Sequence, residues 1–101
     1  GKQGPSGVAT AKQDMTPDGI YDLAGNVPEW VADAYSERYP PCVAPCLDPK
    51  NVPTEPRRVQ RVLRGGGWNW SLHTTRAATR SRWWQDEAVT NFGFRCAASL
   101  P

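Results

Sequence analysis

Prolines and glycines limit what this chain can fold into more than any other residues. Ten prolines and nine glycines are spread over its 101 residues, and both types interrupt helices and central strands. We therefore expect one domain or less, built from short strands and loops without long helices. Five tryptophans bury large areas each, so they can hold together a core that has little regular structure.

Local patterns predict few regular elements. Residues 58–64, RVQRVLR, are β-prone with partial alternation and predict a strand. Residues 92–98 predict a closing strand, whereas residues 83–87 predict a loop. Residues 27–35 are ambiguous between a short helix and a strand, and Pro28 argues against a strand at the centre of a sheet.

Residues 36–57 contain most of the prolines and predict a long, irregular, proline-rich loop excursion. Loops of this length are usually functional or disordered. Cys42 and Cys46 lie within it, and two alternatives are open: a local Cys42–Cys46 disulfide, or three reduced thiols together with Cys96. A disulfide would indicate an oxidising compartment and would leave Cys96 buried or paired outside this chain. The compartment is not fixed by the sequence, with an extracellular or periplasmic one slightly favoured over the cytoplasm.

Charge is distributed unevenly along the chain. Residues 1–56 contain four Lys/Arg and eight Asp/Glu, whereas residues 57–101 contain eight Arg and two Asp/Glu. Pairing between the two halves of a fold explains such a pattern, and an anionic ligand for the arginines of residues 57–82 is the alternative. A net charge of +2 is too small to indicate a nucleic-acid partner by itself, so nucleic acid is not expected.

Apolar runs in the sequence are short. None approaches the about 20 residues that a membrane-spanning helix needs, and no stretch has the order of regions found in a secretory signal. We therefore expect no membrane span.

Three blocks, in the same order and spacing, resemble the sulfatase-modifying-factor (formylglycine-generating-enzyme-like) family. Residues 19–30, GIYDLAGNVPEW, resemble a family segment GxYDMxGNVWEW, and residues 61–68, RVLRGGGW, resemble RVxRGGSW. The third block is RAATR at 76–80 followed by GFR at 93–95. The sequence departs from the family at Pro28, which replaces a tryptophan, and at Gly67, which replaces a serine. A third departure is the loop between Trp68 and Arg76, which is shorter than in copper-bearing members.

The resemblance implies an α+β fold with little regular secondary structure, a variant of the C-type-lectin fold. It also implies that residues 1–101 are the C-terminal part of one such domain, because a full family domain is more than twice as long. We therefore expect a partner segment, the missing N-terminal half, from another chain or a cleaved piece.

The resemblance places a structural calcium ion at the turn around Gly25. Calcium takes six to eight oxygen ligands, mixing carboxylates with backbone carbonyls. Asp22, the carbonyls of Gly25 and Val27, and Glu29 are the four predicted donors. The alternative is that Asp22 caps the turn and Glu29 pairs with an arginine.

Catalysis in the family depends on two cysteines that hold copper shortly after the glycine-rich block, since soft thiolates select Cu(I). Residues 68–75, WNWSLHTT, contain no cysteine. The resemblance therefore implies no copper site and no oxidase activity here, although altered chemistry with catalytic groups in the missing half is an alternative. A third alternative is a variable ligand-binding protein whose sequence is diversified by a retroelement.

The remaining aromatic and basic residues divide into two predicted sets. One is expected to face a groove that suits a protein or carbohydrate ligand: Trp70, His73, Trp83 and Trp84. The other is expected to be structural: Trp30, Trp68, Arg76, Arg80, Arg95 and Cys96. The leading hypothesis is a non-catalytic, calcium-stabilised binding or scaffold module.

Overall fold

A three-stranded antiparallel sheet organises the computed structural model, which describes residues 4–39, 41, 50–53 and 58–98. Its strands are β1 (Glu29–Ala34), β2 (Gln60–Arg64) and β3 (Ser81–Trp84), in the order β1-β2-β3. A single 3-10 turn, Leu72–Thr75, lies between β2 and β3. The other described residues form turns and loops, as the proline and glycine content predicts.

Strand β1 begins directly after Pro28 and lies at one edge of the sheet. A proline lacks the N–H that a central strand needs, so this position suits it. The outer side of β1 is covered by Gly93, which forms an isolated parallel bridge with Glu29. The Trp30 amide donates to the Gly93 carbonyl at 3.0 Å, and the Gly93 amide donates to the Pro28 carbonyl at 2.8 Å.

The central strand β2 supplies most of the small core. Leu63 is 1% exposed and Val62 is 4% exposed, and they join Val59 and Ala34 as the buried hydrophobic residues of the described chain. Leu63 pairs with Trp30 on one side and with Ser81 on the other. Strands β1 and β3, which flank β2, are short. The sheet therefore covers little apolar surface, and the core is thin.

The glycine triplet after β2 folds back onto the turn at residues 24–26. Gly65 accepts a hydrogen bond from the Gly25 amide at 2.6 Å, and Trp68 donates one to the Asn26 carbonyl at 2.8 Å. Gly65 has φ +95°, and a Cβ there would lie 2.8 Å from the Leu23 carbonyl oxygen. A side chain is therefore excluded by both conformation and space.

Pro28 and Gly67, the two residue replacements among the departures from the family pattern, contact each other. A Cβ built on Gly67 would lie 2.8 Å from Pro28 Cδ, and both residues are buried. The proline ring thus fills the space that a side chain at position 67 would need. The two substitutions are a matched pair rather than independent losses.

The structure confirms some of the sequence predictions and corrects others. The strand expected over 58–64 is present as β2, and the ambiguous stretch 27–35 contains β1. The prediction of a loop over 83–87 is wrong at its start, since Trp83 and Trp84 belong to β3 and pair with Arg61 and Gln60 of β2. The closing strand expected over 92–98 is reduced to the single bridge at Gly93.

The part of the proline-rich segment that the structure describes is tied to the end of β1 by Asn51. Its amide donates to Asp33 Oδ1 at 3.1 Å and its Nδ2 to the Ala34 carbonyl at 2.8 Å. Cys42 and Cys46 lie outside the described residues, so their disulfide stays a prediction. No helix in the described ranges has the length and hydropathy to cross a membrane.

The Pro28–Gly67 contact predicts that Gly67→Ser destabilises the protein by about 1–3 kcal/mol, the usual effect of overpacking a filled site. Gly4→Ser is the matched control, because a Cβ at Gly4 has no atom within 4 Å. Urea denaturation of both variants measures the two changes.

A double-mutant cycle with Pro28→Ala completes the test. If the serine costs as much in the Pro28→Ala background as in the wild type, the two positions are not coupled and the account of the matched pair is wrong.

Candidate functional site

Arg95 joins three separate parts of the chain. Its Nε donates to Glu29 Oε1 and its Nη2 to Glu29 Oε2, the latter at 2.7 Å. Its guanidinium also donates to the carbonyls of Tyr21 at 2.8 Å and Asp22 at 3.0 Å. This clamp fixes the segment after Gly93 against both the start of β1 and the loop before it.

The clamp is charged and partly shielded from water. The Glu29 side chain is 16% exposed and that of Arg95 is 40% exposed. Hydrogen bonding to Glu29 raises the pKa of Arg95 above its ordinary value, against the opposing effect of burial. The guanidinium therefore stays protonated, and its planar fork satisfies the carboxylate in a bidentate manner.

The loop that Arg95 holds has an unusual backbone. Asp22 has φ +62° and Asn26 φ +66°, and Gly25 also lies in the left-handed region at +79°. The Asp22 carboxylate accepts from the Ala9 amide at 2.7 Å, and Asn26 Oδ1 accepts from the Ser6 amide at 2.7 Å. Short polar side chains tolerate left-handed backbone because they bond locally in this way.

All four predicted calcium donors line one open cavity of 460 Å³, which also contacts Phe92 to Arg95. The carbonyls of Gly25 and Val27 accept no hydrogen bond from the described residues, and one oxygen of Asp22 is not used by Ala9. These three oxygens fit a hard cation. Glu29 fits only as a shared ligand, since both of its oxygens contact Arg95.

Both features expected under the alternative to calcium are thus present: Asp22 caps a backbone amide, and Glu29 pairs with an arginine. Within the described part of the chain, no three His, Cys, Asp or Glu side chains converge as a metal site. The calcium ion stays a prediction that depends on two carbonyls and two carboxylates.

A second feature of this region is an aromatic cluster centred on Phe92. Trp30, Trp70 and Trp83 surround its ring edge-to-face, with ring centroids at 5.5, 6.0 and 6.1 Å. Trp83 remains 41% exposed. Edge-to-face pairs contribute about 0.5–1.5 kcal/mol each beyond area burial, so the cluster is structural while part of Trp83 stays open to solvent.

The four predicted ligand residues do not all meet. Trp70 and Trp83 share Phe92, whereas Trp84 lies under the Arg58 guanidinium at 4.2 Å. His73 is exposed in the 3-10 turn, with Nε2 3.2 Å from Ser71 Oγ. Phe92 was missed in the sequence because its partners come from three distant segments and no spacing links them.

The predicted structural residues also differ in their surroundings. Trp68 is half-buried, and its Nε1 is the one buried side-chain polar atom in the described residues that lacks a partner. Arg80 packs on tyrosine rings rather than a carboxylate, and Arg76 is exposed. Cys96 is exposed and free, so of its two alternatives burial does not hold, and pairing with a cysteine outside this chain stays a prediction.

The stretch after the glycine triplet is held by its own hydroxyl groups. Thr74 Oγ1 donates to the Ser71 carbonyl at 2.6 Å, and Thr75 Oγ1 donates to the Leu72 carbonyl at 2.7 Å. These bonds close the 3-10 turn at the place where the resemblance puts a copper-binding cysteine pair. Within the turn Leu72–Thr75, the polar side chains are the imidazole of His73 and the hydroxyl groups of Thr74 and Thr75.

The chain matches the family of sulfatase-modifying factor enzyme 1-like domains over residues 5–100. It belongs to this family, which is the formylglycine-generating-enzyme family that the three sequence blocks resemble. No solved structure matches the chain.

Its relatives include proteins of different activity. The serine/threonine-protein kinase Pkn1 of Chlamydia trachomatis is 42% identical over 82 residues, which cover 81% of this chain and 13% of the kinase. The formylglycine-generating enzyme of Mycobacterium tuberculosis is 34% identical, with 79% and 29% covered. The mouse inactive C-alpha-formylglycine-generating enzyme 2 is 35% identical, with 80% and 22% covered. The chain thus spans less than a third of the length of these relatives.

The clamp predicts that Arg95→Gln lowers the free energy of unfolding by about 1–3 kcal/mol, since hydrogen bonds to charged groups contribute about this much. Glutamine cannot reach Glu29 and two carbonyls at once. Arg76→Gln, which removes the same charge from an exposed side chain, should change stability by less than about 0.5 kcal/mol. Denaturant unfolding measures both, and equal effects would show that Arg95 acts only through net charge.

Proposed function

We propose that this chain is part of a non-catalytic, calcium-stabilised domain of the formylglycine-generating-enzyme family, with a C-type-lectin-like fold, that acts as a binding or scaffold module. The observation that carries the proposal is the absence of cysteine from residues 68–75. Two thiolates are needed to hold Cu(I) for oxidation of a substrate cysteine. The hydroxyl groups of the 3-10 turn are hard donors and do not replace them.

Similarity to both active and inactive relatives is compatible with this proposal. The family contains formylglycine-generating enzymes and a protein whose name marks it as inactive, and the same fold can keep its structure when its chemistry is lost. The features described for this chain, the Arg95 clamp and the fold of the glycine triplet onto the turn at residues 24–26, are structural.

Calcium is proposed at the cavity between the turn at residues 24–26 and Gly93. Its ligands are the carbonyls of Gly25 and Val27, the unused oxygen of Asp22, and Glu29 shared with Arg95. An ion bound there would brace the left-handed loop in addition to the hydrogen bond that the Ala9 amide donates to Asp22. Four protein oxygens leave further positions for water, so the affinity is expected to be modest.

A partner segment is proposed to complete the domain. Only four hydrophobic residues of the described chain are buried, while Val8, Leu72 and Phe94 are 85%, 83% and 77% exposed. The buried Trp68 Nε1 also lacks an acceptor within the described residues, which costs about 1–3 kcal/mol. A missing N-terminal half of the family domain would supply both an apolar cover and an acceptor.

The proposed ligand is a protein or a carbohydrate that contacts Trp70 and Trp83, the two predicted residues that share Phe92. Contacts of a ligand with His73 and Trp84 stay predictions. Trp83 supports this proposal because it stays 41% exposed while its ring packs against Phe92 at an interplanar angle of 82°. A rigid, partly exposed indole binds ligands at low entropic cost.

Calcium is expected to raise the thermal midpoint of the intact protein, and Asp22→Asn is expected to remove more than half of that shift. Asparagine keeps the left-handed backbone and an acceptor for the Ala9 amide but loses the charge. A ligand at one hundred times its Kd stabilises the native state by about 2.7 kcal/mol. Thermal unfolding with calcium chloride, and with magnesium chloride as the control, measures the shift.

An unchanged midpoint in the wild type would contradict the calcium site. An equal calcium shift in Asp22→Asn would place the ion elsewhere.

The intact protein, supplied with copper and oxygen, is expected not to convert the cysteine of a sulfatase-derived peptide to formylglycine. Mass spectrometry of the peptide detects the product, with the Mycobacterium tuberculosis enzyme as the positive control. If the wild type forms product, the double variant Cys42→Ser/Cys46→Ser shows whether these two thiols, which lie outside the described residues, hold the copper. Product formation by the wild type would favour the alternative, an enzyme whose catalytic groups lie in another segment.

A further inference from the structure

Three arginines that the proposed function does not use meet beside two tyrosines. We call this group the arginine–tyrosine surface: Arg64, Arg80, Arg82, Tyr35 and Tyr39. In the ranges that the structure describes, the one ion pair is Arg95–Glu29. The three arginines therefore have no carboxylate within ion-pair distance among those residues.

The tyrosines hold the guanidinium groups together in place of carboxylates. Arg80 lies over both rings, 4.4 Å from the Tyr39 centroid and 5.2 Å from that of Tyr35. Arg82 lies 4.9 Å from the Tyr35 centroid. Cation–π contacts of this kind contribute about 0.5–1 kcal/mol at exposed sites and leave the charge uncompensated.

Arg64, which lines the same cavity as Arg80, is held by three hydrogen bonds. Its Nη1 donates to the carbonyls of Ala77 at 2.8 Å and Thr79 at 3.0 Å, and its Nη2 donates to the Tyr39 hydroxyl at 3.1 Å. These bonds fix Arg64 and also orient Tyr39, which is 66% exposed. The surface is thus ordered by hydrogen bonds and ring contacts.

Unused donors remain at the outer edge of the group. A guanidinium carries five N–H donors in a planar fork. Arg80 uses one of its donors, at 2.9 Å to the Glu37 carbonyl, and Arg82 donates no hydrogen bond to a described residue. The remaining N–H donors of Arg80 and Arg82 are therefore available for a bidentate oxyanion.

The surroundings favour a short acidic segment over a nucleic acid. Single-stranded nucleic acids stack bases on open aromatic faces along a basic track. Here the Tyr35 ring is contacted by Arg80 and Arg82, and the acidic Asp33 lines the same small cavity as Arg64 and Arg80. A polyanion that extends into this cavity would be repelled by Asp33, whereas Arg82 is exposed and does not line the cavity, so it is open to a short acidic segment.

We propose that the arginine–tyrosine surface binds the carboxylate side chains of an acidic peptide segment of a partner protein, through Arg80 and Arg82 held in place by Tyr35 and Tyr39. The site differs from the calcium cavity and from the Phe92 cluster. It is independent of whether the domain is catalytic.

The experiment measures fluorescence anisotropy of a labelled tetraglutamate peptide titrated with the intact protein. Arg82→Gln is expected to weaken binding about tenfold, the effect of losing one charge-assisted hydrogen bond. Lys12→Gln is the matched control, since Lys12 is also a cation over a tyrosine ring, 5.9 Å from the Tyr21 centroid. It should leave the affinity unchanged. Arg82→Lys keeps the positive charge but removes the planar guanidinium fork, so it should restore only part of the affinity that Arg82→Gln loses.

Binding is also expected to fall as ionic strength rises from about 0.01 M to about 1 M, which shortens the screening length from about 30 Å to about 3 Å. Tetraglutamine should not bind. Absence of tetraglutamate binding, equal losses in Arg82→Gln and Lys12→Gln, or tighter binding of a phosphoserine peptide or single-stranded DNA would each overturn the proposal. Thermal unfolding of every variant shows whether it is folded.

Discussion

The bidentate contact of Arg95 with Glu29 is the interaction on which the rest of this structure depends. It joins the last described segment to the start of β1, and its two further bonds to Tyr21 and Asp22 carbonyls fix the loop that precedes that strand. Without it, the outer edge of β1, on the side away from β2, would be held only by its hydrogen bonds with Gly93. The cavity with the predicted calcium donors would also lose one wall. A thin core makes such polar contacts more important, because few buried side chains compensate for their loss.

Much of the local structure could be predicted from the sequence where chain-local chemistry decides it. The β-prone stretch before the glycine triplet forms β2, and the turn around Gly25 adopts left-handed backbone where only glycine or short polar residues are tolerated. The family followed from three motifs in order. Trp83 and Trp84 were misassigned because aromatic residues before Gln85 suit both a loop and a strand, and only pairing with β2 decides between them.

Contacts between distant segments could not be predicted in the same way. The Pro28–Gly67 contact joins two motifs that a sequence shows as separate departures from the family pattern. Arg80 was expected to meet a carboxylate because the two halves differ in charge, yet tyrosine rings hold it instead. Phe92 collects tryptophans from β1, β3 and the loop after the glycine triplet, and no sequence spacing indicates such a centre. The predicted calcium donors did come together, because they lie within one short loop.

The domain thus presents three distinct regions on a small sheet. The cavity beside the clamp suits a hard cation, the Phe92 cluster leaves Trp83 partly open, and the arginine–tyrosine surface keeps unpaired positive charge. All three are supported by structural contacts that do not require redox chemistry. This arrangement supports the proposal that the domain acts in binding.

Native-state hydrogen exchange of the Trp30 and Gly93 amides tests the central role of the clamp most directly. Both amides donate across the junction that Arg95 closes. The account predicts that they are protected to a similar extent as the Leu63 amide in the centre of the sheet, and that they open together. Exchange of either amide at the rate of an unstructured peptide, while Leu63 stays protected, would contradict it.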